Sequence, residues 1–186
     1  MPSPTGGYFG PSWKSDGGDD LARGYSGQER GEGQAFVATV TVTHVPGTTY
    51  QTRIDTGDLA FIGDEPESSG GDGLGPGPYD LLLAALGHCT VLTILLYARR
   101  KGWPVEGVSA RASHERLVLE EESDGEIVRR KVERILQEIT LEGALDEAQR
   151  TRLMEIAGKC PVHRTITGEL EIIDVEAPVG DPTVVD

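Results

Sequence analysis

Cysteine is scarce in this chain: its 186 residues include only two, Cys89 and Cys160. A chain of this length buries enough apolar surface to fold without cross-links, so two thiols do not indicate a disulfide scaffold. The first residues are Met, Pro, Ser and Gly, and they lack the basic and apolar segments of a secretory signal. We therefore expect a cytoplasmic protein. In that reducing compartment a cysteine pair is more often catalytic, redox-sensing or metal-binding than structural.

Positive charge is scarce as well. The chain has 17 Lys and Arg side chains against 31 Asp and Glu, a formal net charge of −14. A surface this acidic does not attract the phosphate backbone of nucleic acids or an anionic membrane. We expect neither nucleic acid nor a membrane as a partner.

Apolar side chains are few over residues 1–33, which are rich in Gly, Pro, Ser and Asp. Such a composition buries too little surface to offset the entropy lost on ordering the chain. We predict a flexible or disordered arm over residues 1–33, a single domain over residues 34–176 and an acidic tail over residues 177–186.

The first half of the domain predicts a hairpin and a loop. Residues 36–44 are rich in β-branched side chains, and Pro46-Gly47 marks a turn after which residues 48–55 can return antiparallel. A short apolar piece over residues 59–62 precedes a long Gly- and Pro-rich loop. Residues 70–77 of this loop lack both a Gly-x-Gly-x-x-Gly run and a Gly-Lys-Ser/Thr ending. We therefore expect a flexible entrance loop and no phosphate site.

A long helix is predicted from Pro78, a residue that suits the first helical position, to about Lys101, just before Gly102. Residues 81–98 carry no acidic or permanently basic side chain, so a transmembrane span is one interpretation. The segments around the helix alternate like strands of a soluble sheet, and no second apolar span follows. This context favours a helix buried in a globular core.

The second half predicts two strands, from Val105 to about Glu120 and from about Ile127 to Leu141, with apolar residues 135, 139 and 141 on one face. Asp146 is expected to cap a helix over residues 147–158, which ends at Cys160-Pro161. A closing strand is predicted over Thr165–Val175. Because strands and helices do not alternate regularly, the fold class is α+β.

Three segments carry a family pattern. They are Gly75-Pro-Gly-Pro-Tyr-Asp-Leu-Leu-Leu-Ala-Ala-Leu-Gly-His-Cys-Thr90, Arg100-Lys-Gly-Trp-Pro104 and Cys160-Pro-Val-His-Arg-Thr165. Over about residues 35–175 the chain resembles the OsmC/Ohr superfamily of osmotically inducible and organic hydroperoxide resistance proteins. The resemblance implies an OsmC-like fold, with antiparallel sheets wrapped around a long buried central helix and a second helix. It also implies an intertwined homodimer with active sites near the interface.

The resemblance further implies a thiol peroxidase that uses no cofactor and no metal. Cys89 would attack the hydroperoxide, and Cys160 would resolve the resulting sulfenic acid as a disulfide. An external dithiol, of the lipoyl or the thioredoxin type, would then reduce the disulfide. The apolar side chains around Cys89 favour organic hydroperoxides over hydrogen peroxide as substrates.

Cys89 needs help to ionise, because a cysteine in the middle of a helix has no exposed N-terminal amides to lower its pKa. In the peroxidase branches of the resembled family an Arg does this, held by a Glu one residue after the proline that starts the helix. Here that residue is Tyr79. Asp80 lies on the opposite side of an ideal helix from Cys89 and is expected to cap it. Our candidate cation is Arg53 on the hairpin, with Glu65 as an alternative carboxylate to hold it.

Other interpretations stay open. His88 and His163 suggest zinc, but adjacent helical residues diverge by about 100° and too few ligands remain, so we expect no metal. The protein could be a non-catalytic OsmC-like protein that binds an apolar ligand or a thiol carrier. It could also be a cysteine redox switch without a substrate, or a structural protein with inert thiols.

Overall fold

The computed structural model describes residues 38–123 and 126–177. The elements in these residues are β1 (Thr41–His44), β2 (Thr52–Asp55), β3 (Ala60–Gly63), α1 (Pro78–Lys101), β4 (Gly107–Ser123), β5 (Glu126–Glu142), α2 (Glu147–Ala157) and α3 (Pro161–Thr167). The predicted α+β class is confirmed. The predicted arm, and all but the first residue of the predicted tail, lie outside the described residues.

Strands β1, β2 and β3 form a three-stranded antiparallel sheet in that order. Thr43 of β1 pairs with Arg53 of β2, and Arg53 pairs with Ile62 of β3 on its other side. The predicted hairpin is therefore confirmed, and the short apolar piece after it is the third strand. Residues 36 and 37, where the first strand was predicted to begin, lie outside the described residues.

Helix α1 begins and ends where its local sequence predicts. Pro78 is the first helical residue, and the backbone N–H of Gly77 donates to the Asp80 carboxylate at 3.0 Å, so Asp80 caps the helix as expected. Gly102 ends the helix in the left-handed region with φ 65°, which a residue without a Cβ adopts at little cost. These signals lie within a few residues of each helix end, so the chain alone predicts both.

Strands β4 and β5 pair antiparallel along their whole length, with Ala112 opposite Gln137 and His114 opposite Ile135. Helix α1 lies against this ribbon and against α2. The hydrophobic core lies where they meet, with Val108, Ile139 and Leu141 of the ribbon packed on a buried cluster of the helices: Ile94, Ala98, Leu153 and Ala157. The core thus occupies the C-terminal half of α1 and leaves its N-terminal half to line a cavity.

Helix α1 is also long and apolar enough, by length and composition, to cross a bilayer. An 18-residue window has a mean hydropathy of 2.0, and 28% of that window is buried within the chain. Such a composition is weak evidence for a membrane span, because the core helix of a soluble protein passes the same test. In this chain α1 supplies two of the four residues in the buried core cluster.

The loop between β3 and α1, residues 64–77, is organised by Asp64. This side chain is buried, and its carboxylate accepts hydrogen bonds from the backbone N–H groups of Glu65 at 2.8 Å, Asp72 at 3.0 Å and Leu74 at 3.2 Å. The loop that was predicted to be a flexible entrance is therefore tied at three points to one carboxylate, just before α1 begins.

The closing strand predicted over Thr165–Val175 is wrong. Its first three residues complete α3, and residues 168–177 belong to no helix or strand. The reason lies at Cys160-Pro161. Pro161 takes the first helical position, and the Cys160 sulfur accepts a hydrogen bond from the His163 N–H at 3.3 Å, so a new helix starts at this point.

Candidate active site

Cys89 lies near the middle of α1 and is partly buried. Cys89 lies two helical turns after Leu82 and about one turn after Leu86, so the three residues share one side of the helix. The Thr93 hydroxyl donates to the Cys89 carbonyl oxygen at 2.8 Å. This side of α1 turns the thiol toward α3, which contacts α1.

Cys160 caps the N-terminus of α3 and has 0% of its surface exposed. Its extended backbone, with φ −58° and ψ 135°, directs the sulfur back over the first turn, where it accepts the hydrogen bond from His163. Cys160 is therefore held in one position and shielded from solvent.

The structure brings the two cysteines together. The Cys89 thiol lies close enough to the Cys160 thiol and to the backbone amide of Val162 for both groups to shift its pKa. Both cysteines are unbridged thiols. Two cysteines that are far apart in sequence thus lie side by side, one partly buried and the other fully buried.

The pKa of the Cys89 thiol is raised above its ordinary value. Burial is the largest cause, and contact with the Cys160 thiol raises the pKa further. The Val162 amide and the Thr93 hydroxyl act in the opposite direction and do not reverse the shift. None of these groups is a cation, so the thiol is mostly protonated at neutral pH.

Arg53, the predicted activating cation, has a different contact. Its guanidinium pairs with the Asp55 carboxylate at 2.8 Å, and its side chain is 59% exposed. It is not among the groups that shift the pKa of Cys89. Within this single chain the structure does not bring Arg53 to Cys89, and its role in activating the thiol stays a prediction without support from these contacts.

A cavity of about 600 Å³ opens between α1, the β4–β5 ribbon and α3. Its apolar lining consists of Leu82, Leu86, Ile135 and Ile166. Its main polar lining consists of Tyr79, His114, Glu133, Gln137 and His163. Leu86 lies one turn before Cys89 and His163 lies three residues after Cys160, so the cavity lies near the dithiol, although its lining includes neither cysteine.

Tyr79 occupies the position where the resembled peroxidases have a Glu, and it belongs to a polar group at this cavity. The other members of this group are His114, Arg116 and Glu133. The Tyr79 and His114 rings stack with centroids 4.3 Å apart. Arg116 lies 3.4 Å from the Tyr79 hydroxyl and 3.3 Å from the Glu133 carboxylate, which also contacts His114. An Arg–carboxylate pair is therefore present, but it comes from the ribbon and not from Arg53.

Sequence reasoning missed the polar residues that β4 and β5 bring to the cavity. A signal was available for two of them. Residues 135, 139 and 141 form an apolar face, and the alternation places Glu133 and Gln137 on that same face. Polar residues on a strand face that is otherwise apolar indicate a site or a buried polar contact.

The histidines considered for zinc line different cavities. His163 lines the cavity beside the dithiol, whereas His88 lines a second cavity of about 410 Å³ together with Gly87 and Val91. Over residues 38–123 and 126–177 no group of three or more potential metal ligands comes together. The two histidines therefore do not form a shared site.

Several solved structures are similar to this chain in fold. An OsmC like protein from Mycoplasma pneumoniae is 19% identical with a TM-score of 0.57, over 73% of this chain and 90% of its own. A proposed osmotic stress induced and detoxification response protein from Psychrobacter arcticus 273-4 is 24% identical with a TM-score of 0.55, over 74% of this chain and 94% of its own. An organic hydroperoxide resistance protein OsmC from Legionella pneumophila is 18% identical with a TM-score of 0.53, over 74% of this chain and 94% of its own.

No curated protein matches the chain. The family is shown by a family model, described as OsmC-like protein, that matches residues 70–173 and so includes both cysteines, α1 and the ribbon. This match covers more than half of the chain and confirms the resemblance seen in the sequence: the protein belongs to the OsmC-like family.

Proposed function

We propose that this protein is a thiol-dependent peroxidase that reduces organic hydroperoxides and, less well, hydrogen peroxide. The observation that carries the proposal is the contact between the partly exposed Cys89 thiol and the buried Cys160 thiol. A pair in contact can form a disulfide with little movement of the backbone. The named relatives support the same chemistry, since one of them is an organic hydroperoxide resistance protein.

The reaction has three steps. The Cys89 thiolate attacks the terminal oxygen of ROOH, the O–O bond breaks, and the leaving alkoxide takes up the proton released by the thiol. The products are the Cys89 sulfenic acid and an alcohol. The Cys160 sulfur then attacks the sulfenic sulfur, so that an S–S bond forms and water leaves. An external dithiol of the lipoyl or thioredoxin type reduces this bond and is itself oxidised to a disulfide.

The division of roles follows from exposure. Cys89 is only partly buried and leaves part of its surface exposed, whereas Cys160 has 0% of its surface exposed and lies beside Cys89. The apolar lining of the cavity favours an alkyl or aryl hydroperoxide, because moving apolar surface out of water contributes roughly 25 cal/mol per Å². Hydrogen peroxide has no apolar surface to bury against this lining and so gains no binding free energy from it.

We also propose that the protein works as a homodimer. The single chain exposes large apolar side chains on α1 and after α3: Leu95 at 38%, Leu96 at 51%, Ile172 at 77%, Ile173 at 71% and Val175 at 82%. Residues 168–177 are rich in β-branched side chains but pair with no strand among residues 38–123 and 126–177. A second copy of the chain would cover the exposed side of α1 and provide an edge for this segment.

The test is multiple-turnover reduction of cumene hydroperoxide and of hydrogen peroxide with a dithiol reductant. We expect Cys89→Ser to abolish reduction of both, because no nucleophile remains. Cys160→Ser is expected to consume one equivalent of hydroperoxide per site and then stall as a sulfenic acid, which dimedone traps. The two variants make the same chemical change and control for each other. Equal turnover in both variants would contradict the assignment of roles.

One observation favours a second candidate, a cysteine redox switch. The raised pKa of Cys89, with no cation among its causes, is typical of a slowly oxidised thiol. A switch would form the Cys89–Cys160 disulfide slowly and at similar rates with cumene hydroperoxide and hydrogen peroxide. A peroxidase would show a clear preference for the organic substrate.

A further inference from the structure

Positive charge is concentrated in one part of this acidic chain. Residues 99–101 and 147–167, which form the end of α1, helix α2, the α2–α3 connection and α3, contain seven Lys and Arg against two Asp and Glu. The whole chain has a formal net charge of −14. Charges more than about 8 Å away are largely screened at physiological ionic strength, so an approaching protein responds to this local excess of positive charge.

Three of these cations converge on Tyr97. Arg152 Nε donates to the Tyr97 hydroxyl at 3.2 Å, and the Lys101 ammonium lies 5.9 Å from the centre of the ring. The hydrogen bond from Arg152 lowers the pKa of Tyr97 most, burial acts against it, and the charges of Arg152, Lys101 and Lys159 lower it further. Lys159 therefore lies close enough to act on the same hydroxyl. We refer to Lys101, Arg152 and Lys159 as the basic face.

The basic face is exposed and only partly neutralised. Lys101 and Lys159 are exposed, and the Arg152 side chain is 41% exposed. Glu155 pairs with Arg152, whereas neither lysine pairs with a carboxylate among the residues that the structure describes. Neighbouring like charges repel, and negative groups of a partner would offset that repulsion. The acidic remainder of the chain repels the same partner and so favours its approach to this face.

The basic face borders the two cysteines. Lys159 directly precedes Cys160, and α1 rises about 12 Å over the eight residues from Cys89 to Tyr97. Both Cys89 and Tyr97 lie on the side of α1 that faces α2 and the residues after it, since Tyr97 bonds Arg152 and Cys89 lies beside Cys160. A standard interface covers roughly 800 Å² of each protein, an area about 32 Å across, so a protein docked on the basic face also reaches the cysteines.

We propose that the basic face is the docking surface for a protein reductant, an acidic domain that carries the dithiol needed to reduce the Cys89–Cys160 disulfide. This inference rests on the proposed peroxidase function, which produces that disulfide. A thiolate of the reductant attacks the sulfur of Cys89, the less buried cysteine, and Cys160 leaves as a thiolate. The second thiol of the reductant then displaces Cys89. The reductant is thereby oxidised to a disulfide, and its two protons pass to Cys89 and Cys160.

The first measurement isolates the reduction step. Diamide, which requires no peroxidase activity, forms the disulfide in the purified protein. Its reduction is then followed with an acidic dihydrolipoyl domain, with a reduced acidic thioredoxin and with dithiothreitol. Lys101→Glu combined with Lys159→Glu should slow reduction by the faster protein dithiol about tenfold or more at low salt, because electrostatic steering changes association rates by about 10- to 1,000-fold. Reduction by dithiothreitol, which is uncharged, should keep its rate.

Lys131→Glu combined with Arg134→Glu is the matched control, because it makes the same change of charge at exposed positions on β5. Added salt should slow reduction of the wild type and of this control more than reduction of the basic-face variant. Lys101→Gln combined with Lys159→Gln removes the two charges without reversing them and should give an intermediate rate. This milder pair replaces the Glu variant if thermal melting shows that the Glu variant does not fold.

The outcomes separate the docking surface from the proposed function. If the wild type consumes no hydroperoxide but the basic-face variant is reduced more slowly by the protein dithiol alone, the peroxidase function fails and the docking surface stands. If this variant is reduced as fast as the wild type at low salt, or if the control variant is slowed equally, the docking surface is overturned. Equal slowing with dithiothreitol also overturns it, because such a change reflects altered access to the disulfide.

Two further results would contradict the docking surface. One is a wild-type protein that neither protein dithiol reduces faster than dithiothreitol at the same concentration. The other is binding of inorganic phosphate or single-stranded DNA that is lost in the basic-face variant while reduction by the protein dithiol is unchanged. That result would assign the basic face to a different anion.

Discussion

At the scale of single residues, the chemistry depends on how readily Cys89 loses its proton. Burial raises its pKa, and the neighbouring Cys160 thiol raises it further. A thiolate is the reactive form, so the fraction of active protein at neutral pH is small and increases with pH. The cysteine contact that enables the second step of the proposed reaction therefore slows the first.

This balance predicts the pH dependence of alkylation. The rate of Cys89 alkylation by iodoacetamide should still be rising above about pH 8.5, the ordinary pKa of a cysteine thiol. Cys160→Ala removes the contact that raises the pKa, so its alkylation midpoint should shift to lower pH. Mass spectrometry of the labelled peptides gives both profiles, and Cys89→Ala measures labelling of Cys160. A wild-type rate that already levels off below pH 7 would contradict the prediction and indicate an activating cation.

Tyr79 stands where a carboxylate is expected, and it makes contacts of its own in the site. A carboxylate at this position would offer Arg116 an ion pair, whereas Tyr79 offers a hydroxyl at 3.4 Å and a ring that stacks on His114. Arg116 pairs with Glu133 of β5 as well. The charge at the cavity is thus largely neutralised within the ribbon and is not directed at Cys89.

At the scale of elements, the loop over residues 64–77 sets where α1 starts and hence where Tyr79 and Cys89 lie. Burial acts to raise the pKa of Asp64, but hydrogen bonds from the backbone N–H groups of Leu74, Glu65 and Asp72 lower it by more. The pKa therefore lies below its ordinary value. The charged form of this carboxylate is the form that holds the loop.

The direction of this shift gives a stability prediction. A lowered pKa in the folded state stabilises the protein above the unfolded pKa of about 3.9, and this stabilisation is lost as the pH falls through the folded value. Asp64→Asn should lower the melting temperature at pH 7 by about 5 °C. The difference in melting temperature between this variant and the wild type should become smaller below about pH 3. Asp58→Asn, at an exposed position in the β2–β3 turn, is the matched control. A gap that stays constant with pH would show that the charge of Asp64 has no role.

At the scale of the whole molecule, few apolar side chains are buried among the described residues. They are Ile54, Leu86, Ile94, Ala98, Leu153, Ile156, Ala157 and Cys160. The exposed apolar side chains of α1 and of residues 168–177 extend the same apolar surface outward. A second copy that covers them would complete a core that the single chain leaves small.

The proposed dimer predicts which substitutions weaken association of the two chains. Light scattering should give twice the mass of one chain for the wild-type protein at micromolar concentration. Ile172→Glu combined with Ile173→Glu should weaken the dimer about a hundredfold or more, because burial of each Ile contributes about 1.5–3 kcal/mol. Glu171→Gln, next to them in the chain, should leave the mass unchanged. A wild-type protein with the mass of one chain would contradict the proposal.

The sequence by itself determined the elements whose signals are local. The ends of α1 follow from Pro78, Asp80 and Gly102, and the start of α2 follows from Asp146, whose carboxylate accepts from the Gln149 N–H at 2.7 Å. The strands follow from alternation and turn residues, and the family follows from the two cysteine motifs. Local signals work because each involves hydrogen bonds or side-chain faces within one or two turns of chain.

The tertiary structure alone decided which distant groups meet. The sequence did not show that α3 starts at Cys160-Pro161, because Pro serves equally to end one helix and to begin another. It did not show that the ribbon brings His114 against Tyr79, or that Gln137 lines the cavity beside α1. These outcomes depend on how α1 packs on the ribbon, and packing is set by the sum of many contacts between residues far apart in the chain.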